Sequence, residues 1–306
     1  MISKDKHYEV LRERKAIESC NDAYNFSCNQ SIFPIIRSSN ELISFLKRVS
    51  KEHNDFFHYT NIDGLACMIK TRRWKFSSAR KTNDLHEFSS KGSPDEWRYI
   101  YSCSLSHGDE DNIGMWKMYG DKKYSICLRL SPLIIKTWID SLERTKEYYC
   151  NTKDYKALTP NFQELSFHDI AYIHGYQSPY NSVVCWGNII NSAKWISNIS
   201  NEKDLTGFIK NSAWEYEKET RIMIRLPKVS NIYDTKFYTP DEIYVDLYDE
   251  MINDIEEIII SPFALRKNDL LDRLHVLLGS PRDYNRLKEK FNESYFAGKI
   301  QGSNLA

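Results

Sequence analysis

Four short clusters of polar and aromatic residues punctuate this chain: His58-Tyr59-Thr60, Asn83-Asp84 with Glu87, Met115-Trp116 with Tyr119, and Trp214 through Arg221. Each stands at the edge of an apolar run. Between them they offer an imidazole, stacking rings, a tight group of carboxylates and a guanidinium. That is the equipment of a site that binds a ribose-containing ligand and strains its glycosidic bond. On an extended segment Glu217, Glu219 and Arg221 share one face, opposite Ile222 and Ile224 in the core. Crowded carboxylates raise each other's pKa and an arginine lowers it, so the group can hold one ionised and one protonated carboxyl. The competing reading is a solvated helix end with Glu217 and Arg221 as an i,i+4 pair, worth only about 0.2–0.5 kcal/mol.

Every other member of the set also has a plain structural role open to it. His58 follows Phe56-Phe57 at the end of an apolar strand, where a histidine serves either as a buried hydrogen-bonder or as a partner for a ribose hydroxyl. Thr60 either does the same or caps the next helix. Trp116 and Tyr119 are three apart and share a helix face, for core packing or for stacking on a ring. Asn83-Asp84 with Glu87 makes an Asx-type turn and a cap, or shapes a loop over a ligand.

These residues need elements to hold them. Asp55 to Tyr59 reads as a strand, with a helix starting at Asn61 or Asp63; Trp74 to Ser77 and Arg98 to Leu105 read as strands, and Gly120 stops a short helix bearing Met115, Trp116 and Tyr119. Tyr124 to Leu130 is a strand, and Ser131-Pro132 opens a helix from Leu133 to Leu142. Tyr148 to Gln163 reads as loop or edge strands, Ile170 to Tyr176 as a strand, and Val184 to Ser197 as a helix carrying Trp186 and Trp195. The second half of Glu217 to Leu226 alternates as a strand, as do Tyr244 to Leu247 and Ile255 to Ser261, and Asn268 to Leu278 is a terminal amphipathic helix ended by Gly279. Tyr8 to Tyr24 and Glu41 to Val49 form a helical preface, the latter capped by Ser39-Asn40. The expected organisation is therefore a helical extension over 1–50, an α+β core over 51–265 and a helical segment over 266–306. Its fold class is α+β, with mixed, mainly antiparallel sheets and inserted helices.

Composition narrows the function. The 306 residues bury a core without staples, and 42 basic against 42 acidic residues leave no net field for nucleic acid or an anionic membrane. The 7 cysteines are scattered with no Cys-x-x-Cys pair, which argues against a disulfide framework or a zinc knuckle. There is no Gly-x-Gly-x-x-Gly and no Gly-Lys-Ser/Thr loop, so a Rossmann or Walker-type site is excluded from the expectation. No apolar window reaches the roughly 18 residues of a membrane span, and the chain is read as cytosolic.

In this order the clusters resemble a large bacterial family catalogued as a domain of unknown function. Its members share a His-Tyr-Thr strand end, an Asn-Asp loop with a following glutamate, a serine-rich strand leading to Met-Trp-x-x-Tyr, and a late Trp-x-x-Glu-x-Glu-x-Arg. Here these are His58 to Thr60, Asn83 to Glu87, Ser102 to Ser106 followed by Met115 to Tyr119, and Trp214 to Arg221, within a resemblance covering Phe56 to Ala264. The family's loop commonly reads Asn-Asp-Pro, where this chain has Leu85. That family in turn looks like a distant relative of the ADP-ribosyltransferases. The resemblance implies NAD as substrate and an acceptor that is protein or nucleic acid, with water as the acceptor in a glycohydrolase. No metal and no membrane are expected. Glu219 is the first choice of catalytic carboxylate and Glu217 the second; His58, Tyr59, Thr60, Asn83, Asp84, Trp116, Tyr119 and Arg221 are expected to bind the nucleotide. The setting it suggests is a toxin or anti-phage effector with a regulatory or antitoxin partner. The alternative is a non-catalytic nucleotide-sensing or partner-binding module of the same fold.

Overall fold

Strands in this chain are built from β-branched and aromatic residues alternating with polar ones, and they assemble chiefly by antiparallel pairing over long sequence separations. The computed structural model describes residues 35–36, 38–82, 97–108, 112–120, 123–150, 162–173, 185–189, 194–199, 205, 207–227, 240–248 and 250–297. The chain divides into two compact units, one comprising Met1–Leu46, Asp84–Lys91 and Ile170–Glu215, the other Lys47–Asn83, Gly92–Asp169 and Tyr216–Ala306. Among the described residues no helix is long and apolar enough to cross a membrane.

The second unit is α+β and is organised by a nine-stranded mixed sheet. Its strands are β1 (Phe56–Asn61), β2 (Arg73–Ser78), β3 (Ile100–His107), β4 (Ser125–Leu130), β5 (Glu164–Asp169), β6 (Glu219–Arg225), β7 (Glu242–Asp246), β8 (Glu257–Ile260) and β9 (Phe291–Glu293). The path runs β7-β2-β3-β1-β4-β8-β9, and β6 lies between β3 and β5. Every pair is antiparallel except β8 with β9.

Longer helices cover one face and a short one the other. Helix α1 (Ile62–Thr71) begins where the Asn61 carboxamide oxygen accepts from the Gly64 N–H at 2.8 Å, which satisfies one of the orphan donors of the first turn. The short α2 (Ile113–Tyr119) is capped by Asn112, and α3 (Pro132–Thr145) by Ser131 with Pro132 in the first turn. After α4 (Met251–Asp254), α5 (Lys267–Leu278) ends at Gly279, whose φ of +63° suits a residue without a Cβ. Then α6 (Pro281–Leu287) leads to β9. Buried faces of α1, α3 and α5 join Phe56, Trp74, Phe76, Leu105, Leu128 and Ile222 in the main core. On the opposite sheet face α2 packs Met115 and Trp116 against Phe57, Tyr59, Cys127 and Ile259.

The sheet is forked at β3. Along one edge β6 pairs with β3 from Ile100 to Ser106 without interruption. The other edge is shared: β2 pairs with it only at Tyr101 and Ser102, and β1 only at Ser106 and His107. Between those points β1 and β2 diverge from β3. The His58 ring fills the gap, 4.7 Å from Trp74 on the other branch, with Nδ1 3.3 Å from the Ser104 carbonyl.

Within the first unit, Ile35–Ile36 pairs in parallel with Lys194–Ile199, which pairs antiparallel with Cys185–Ile189. Ala171–Ile173 pairs in parallel with Ile209–Asn211. One sequence expectation is corrected here. Val184 to Ser197 is not a helix but the two strands just named: Gly187 lies at a register shift, as glycine in a strand often does, and in a helix interior it would cost roughly 1 kcal/mol. The strand expected over Ile170 to Tyr176 is present as Ala171–Ile173, and the residues from 174 to 176 lie outside the described residues. The Ser39–Val49 helix is present, with the Ser38 hydroxyl accepting from Glu41 N–H at 3.2 Å, so the cap falls one residue before the expected one. Tyr8 to Tyr24, the Asn83-Asp84 loop with Glu87, and the side chains of Trp186 and Trp195 lie outside the described residues.

Candidate functional site

The carboxylate-rich segment is a six-residue 3₁₀ helix, Ser212–Glu217, and β6 starts at Glu219. Lys218 between them has φ +42°, a left-handed conformation costing a non-glycine residue about 1–2 kcal/mol. This corrects the expectation of one extended segment: Glu217 and Glu219 are separated by a corner. Three successive carbonyls fix that corner. Tyr216 accepts from the Asn112 carboxamide at 2.7 Å, Glu217 from the Ser106 hydroxyl at 2.7 Å, and Lys218 from the His107 N–H at 2.9 Å. The Lys218 side chain lies over Gly108, whose φ is +102° and where an added Cβ would come within 2.9 Å of the lysine Cδ.

Register decides which side chains meet. Glu219 stands opposite Ser106, Arg221 opposite Ser104, and Ser106 opposite Phe57. Cross-strand partners share a face, so these residues lie on the side of Phe57, Tyr59 and Trp116. There the Arg221 guanidinium grips Glu219 in a fork, Nε to Oε1 at 2.9 Å and Nη2 to Oε2 at 2.9 Å, in a pair with side chains only 2% and 4% exposed. The Ser104 hydroxyl, on an exposed residue, donates to the same carboxylate. Glu217, also buried, accepts from the hydroxyl of Tyr119, which is 36% exposed at the end of α2. Trp116 is 1% exposed and meets the Tyr59 ring edge-on at 4.8 Å, and the Asn112 N–H donates to the Tyr59 oxygen at 3.3 Å.

The structure thus brings Glu217, Glu219, Arg221, Tyr59, Trp116 and Tyr119 to one face around one corner. It does not bring His58 or Thr60 there. Both alternate with Tyr59 and point to the helix-covered side, where burial lowers the His58 pKa from 6.5 to about 4 despite the Ser104 carbonyl, with Lys75 adding to the shift. The Thr60 hydroxyl reaches the first turn of α1, at 2.7 Å from where a Cβ on Gly64 would sit. Asn83 and Asp84 lie outside the described residues. Chemically the corner offers two carboxylates, each carrying a hydroxyl donor from a residue that reaches solvent. That suits recognition of a polyhydroxylated ligand and stabilisation of nearby positive charge.

Sequence reasoning did not single out Asn112 and Lys218 as positioning residues. The asparagine had a signal: it precedes Ile113 by one residue and the Met115 N–H it caps by three. Lysine gives no warning of a left-handed conformation. Comparison of the chain with protein-family models, curated proteins and solved structures finds no match.

Proposed function

We propose that the chain is an ADP-ribosyltransferase-like enzyme that cleaves the nicotinamide-ribose bond of NAD at the Glu217-Lys218-Glu219 corner and passes the ADP-ribosyl group to a macromolecular acceptor. One observation carries the reading: two carboxylates flank a left-handed corner fixed by three hydrogen bonds, and each is reached from solvent through a hydroxyl, Ser104 for Glu219 and Tyr119 for Glu217. As nicotinamide departs, positive charge develops on the ribose, as in glycoside hydrolysis. Carboxylates held in place beforehand lower the cost of that charge, because they need not reorganise as it forms. Ser104 and Tyr119 are the groups a ribose hydroxyl would meet first. Arg221 keeps Glu219 from swinging away. The resemblance adds the setting, a toxin or anti-phage effector held silent by a partner.

The test is nicotinamide release from NAD by the purified chain, with and without cell lysate as a source of acceptor. Wild type is compared with Glu219→Gln and Ser104→Ala. The reading expects release that Glu219→Gln reduces at least ~100-fold, the scale of losing one preorganised electrostatic group. Release unchanged by the substitution, or none with or without lysate, overturns it. A second reading, a nucleotide-sensing module, is favoured by the near-complete burial of the Glu219-Arg221 pair. It expects NAD binding without turnover and tolerance of Glu219→Gln.

A further inference from the structure

On the opposite face of β6 from Glu219, at the same end of the sheet, two histidines and an aspartate converge from three distant stretches of chain. His53 precedes β1, His107 ends β3 and Asp169 ends β5. One donor atom from each lies within 4.8 Å of the others. His53 Nε2 is 2.7 Å from Asp169 Oδ2, and His107 Nδ1 is 3.8 Å from Asp169 Oδ1. Thr220 sits between the partners: its hydroxyl donates to Asp169 Oδ1 at 2.6 Å and lies 2.9 Å from His107 Nδ1.

A buried aspartate in need of hydrogen bonds is already served by His53 and Thr220. The second imidazole is what that account leaves over. The two rings lie face to face, centroids 3.8 Å apart and planes 9° from parallel, so they make no hydrogen bond to each other while both turn an edge toward one carboxylate. An ion bound tetrahedrally at about 2.0–2.2 Å sets its ligand atoms about 3.3–3.6 Å apart. The two histidine nitrogens stand 2.7 and 3.8 Å from different oxygens of the Asp169 carboxylate, and one donor atom from each residue lies within 4.8 Å of the others, so side-chain rotation onto one ion closes the set. Two imidazoles and one carboxylate form a borderline donor set that suits zinc rather than magnesium or calcium. The side chains of His53 and His107 are 18% and 16% exposed, which leaves ions a way in and a fourth position for water or an anion.

We propose that His53, His107 and Asp169 bind one divalent transition-metal ion of the zinc class, with Thr220 positioning Asp169 from behind. Bound, the ion fastens the approach to β1 to the ends of β3 and β5. His107 would present Nδ1 to the ion in its Nε2-H tautomer, and Thr220 would keep its hydrogen bond to Asp169.

The test uses the full chain with Cys67, the exposed thiol among the described residues, replaced by serine to suppress adventitious binding. The protein is stripped with chelator, dialysed against Zn²⁺ and analysed for bound metal; Co²⁺ is added in parallel for its visible bands. Expected are one zinc per chain, a melting temperature that rises with zinc, and loss of both in His53→Ala/His107→Ala. Thr220→Val should bind roughly 10–100-fold more weakly, as expected for a partner that orients a ligand. Failure of the folded protein to take up a stoichiometric ion overturns the proposal, whatever the variants do. So does stoichiometric uptake that a folded double variant retains.

Discussion

His58 shows how one side chain can satisfy a motif and serve another purpose. The sequence placed it at the end of an apolar strand; it lies instead in the middle of β1, where its ring plugs the fork between β1 and β2 and does not face the carboxylates. That placement has a measurable cost in acid. The folded chain holds the ring's pKa at about 4 against 6.5 unfolded, so between those values the unfolded chain binds more protons and stability rises with pH. The contribution is fully present above about pH 6.5 and is lost as pH falls toward 4. It amounts to at most about 3 kcal/mol at 1.36 kcal/mol per unit, less whatever solvent screens around the partly exposed ring. Urea denaturation at pH 7 and pH 4.5 should therefore show a smaller loss of stability in His58→Gln than in wild type. Equal losses would mean that the ring accepts its proton without cost in the folded state.

Among the elements, the corner at Lys218 is where sequence reading and structure part company. Strand β6 was legible from its alternation, as were α2 from its aromatic spacing and α3 from its Ser-Pro start. Of the six members of the site face, Glu219, Arg221, Trp116 and Tyr119 follow from β6 and α2 once the register is known. What could not be read was the reversal at a lysine, since nothing in that residue type favours φ of +42°. Nor could the His53, His107 and Asp169 convergence be seen, because it depends on strand order and not on spacing. The missed α6 is different: Ser280-Pro281 repeats the cap-and-proline signal of Ser131-Pro132, and it went unused. The corner itself makes a prediction. Lys218→Gly should fold with stability within about 1 kcal/mol of wild type, whereas Lys218→Val should lose about 1–2 kcal/mol or more, since a β-branched residue resists the left-handed region. Chemical denaturation of the two variants gives the comparison. Equal stabilities would show that the corner relaxes to a conformation any residue accepts.

For the molecule as a whole, β9 closes the second unit along the edge of β8. Phe291 in β9 is fully buried in the main core, and β9 covers an edge of β8 that would otherwise present unpaired backbone groups. Phe291→Ala should cost about 3–5 kcal/mol by the cavity it leaves. Ending the chain at Gly279 should go further and promote association, which size-exclusion chromatography would detect. A truncated chain that stays monomeric and stable would show that β8 is a self-sufficient edge. The pairing of β3 with β6 bears on the chain's birth. Everything from Gly108 to Lys218 must be synthesised between the two, taking roughly 6–22 s at ~5–20 residues per second. During that interval the nascent chain on the ribosome exposes the β3 backbone edge with no cognate partner yet made. Trigger-type chaperones that shield strands during translation should accordingly matter more for the yield of this protein than for its refolding from denaturant, where both strands are present from the start.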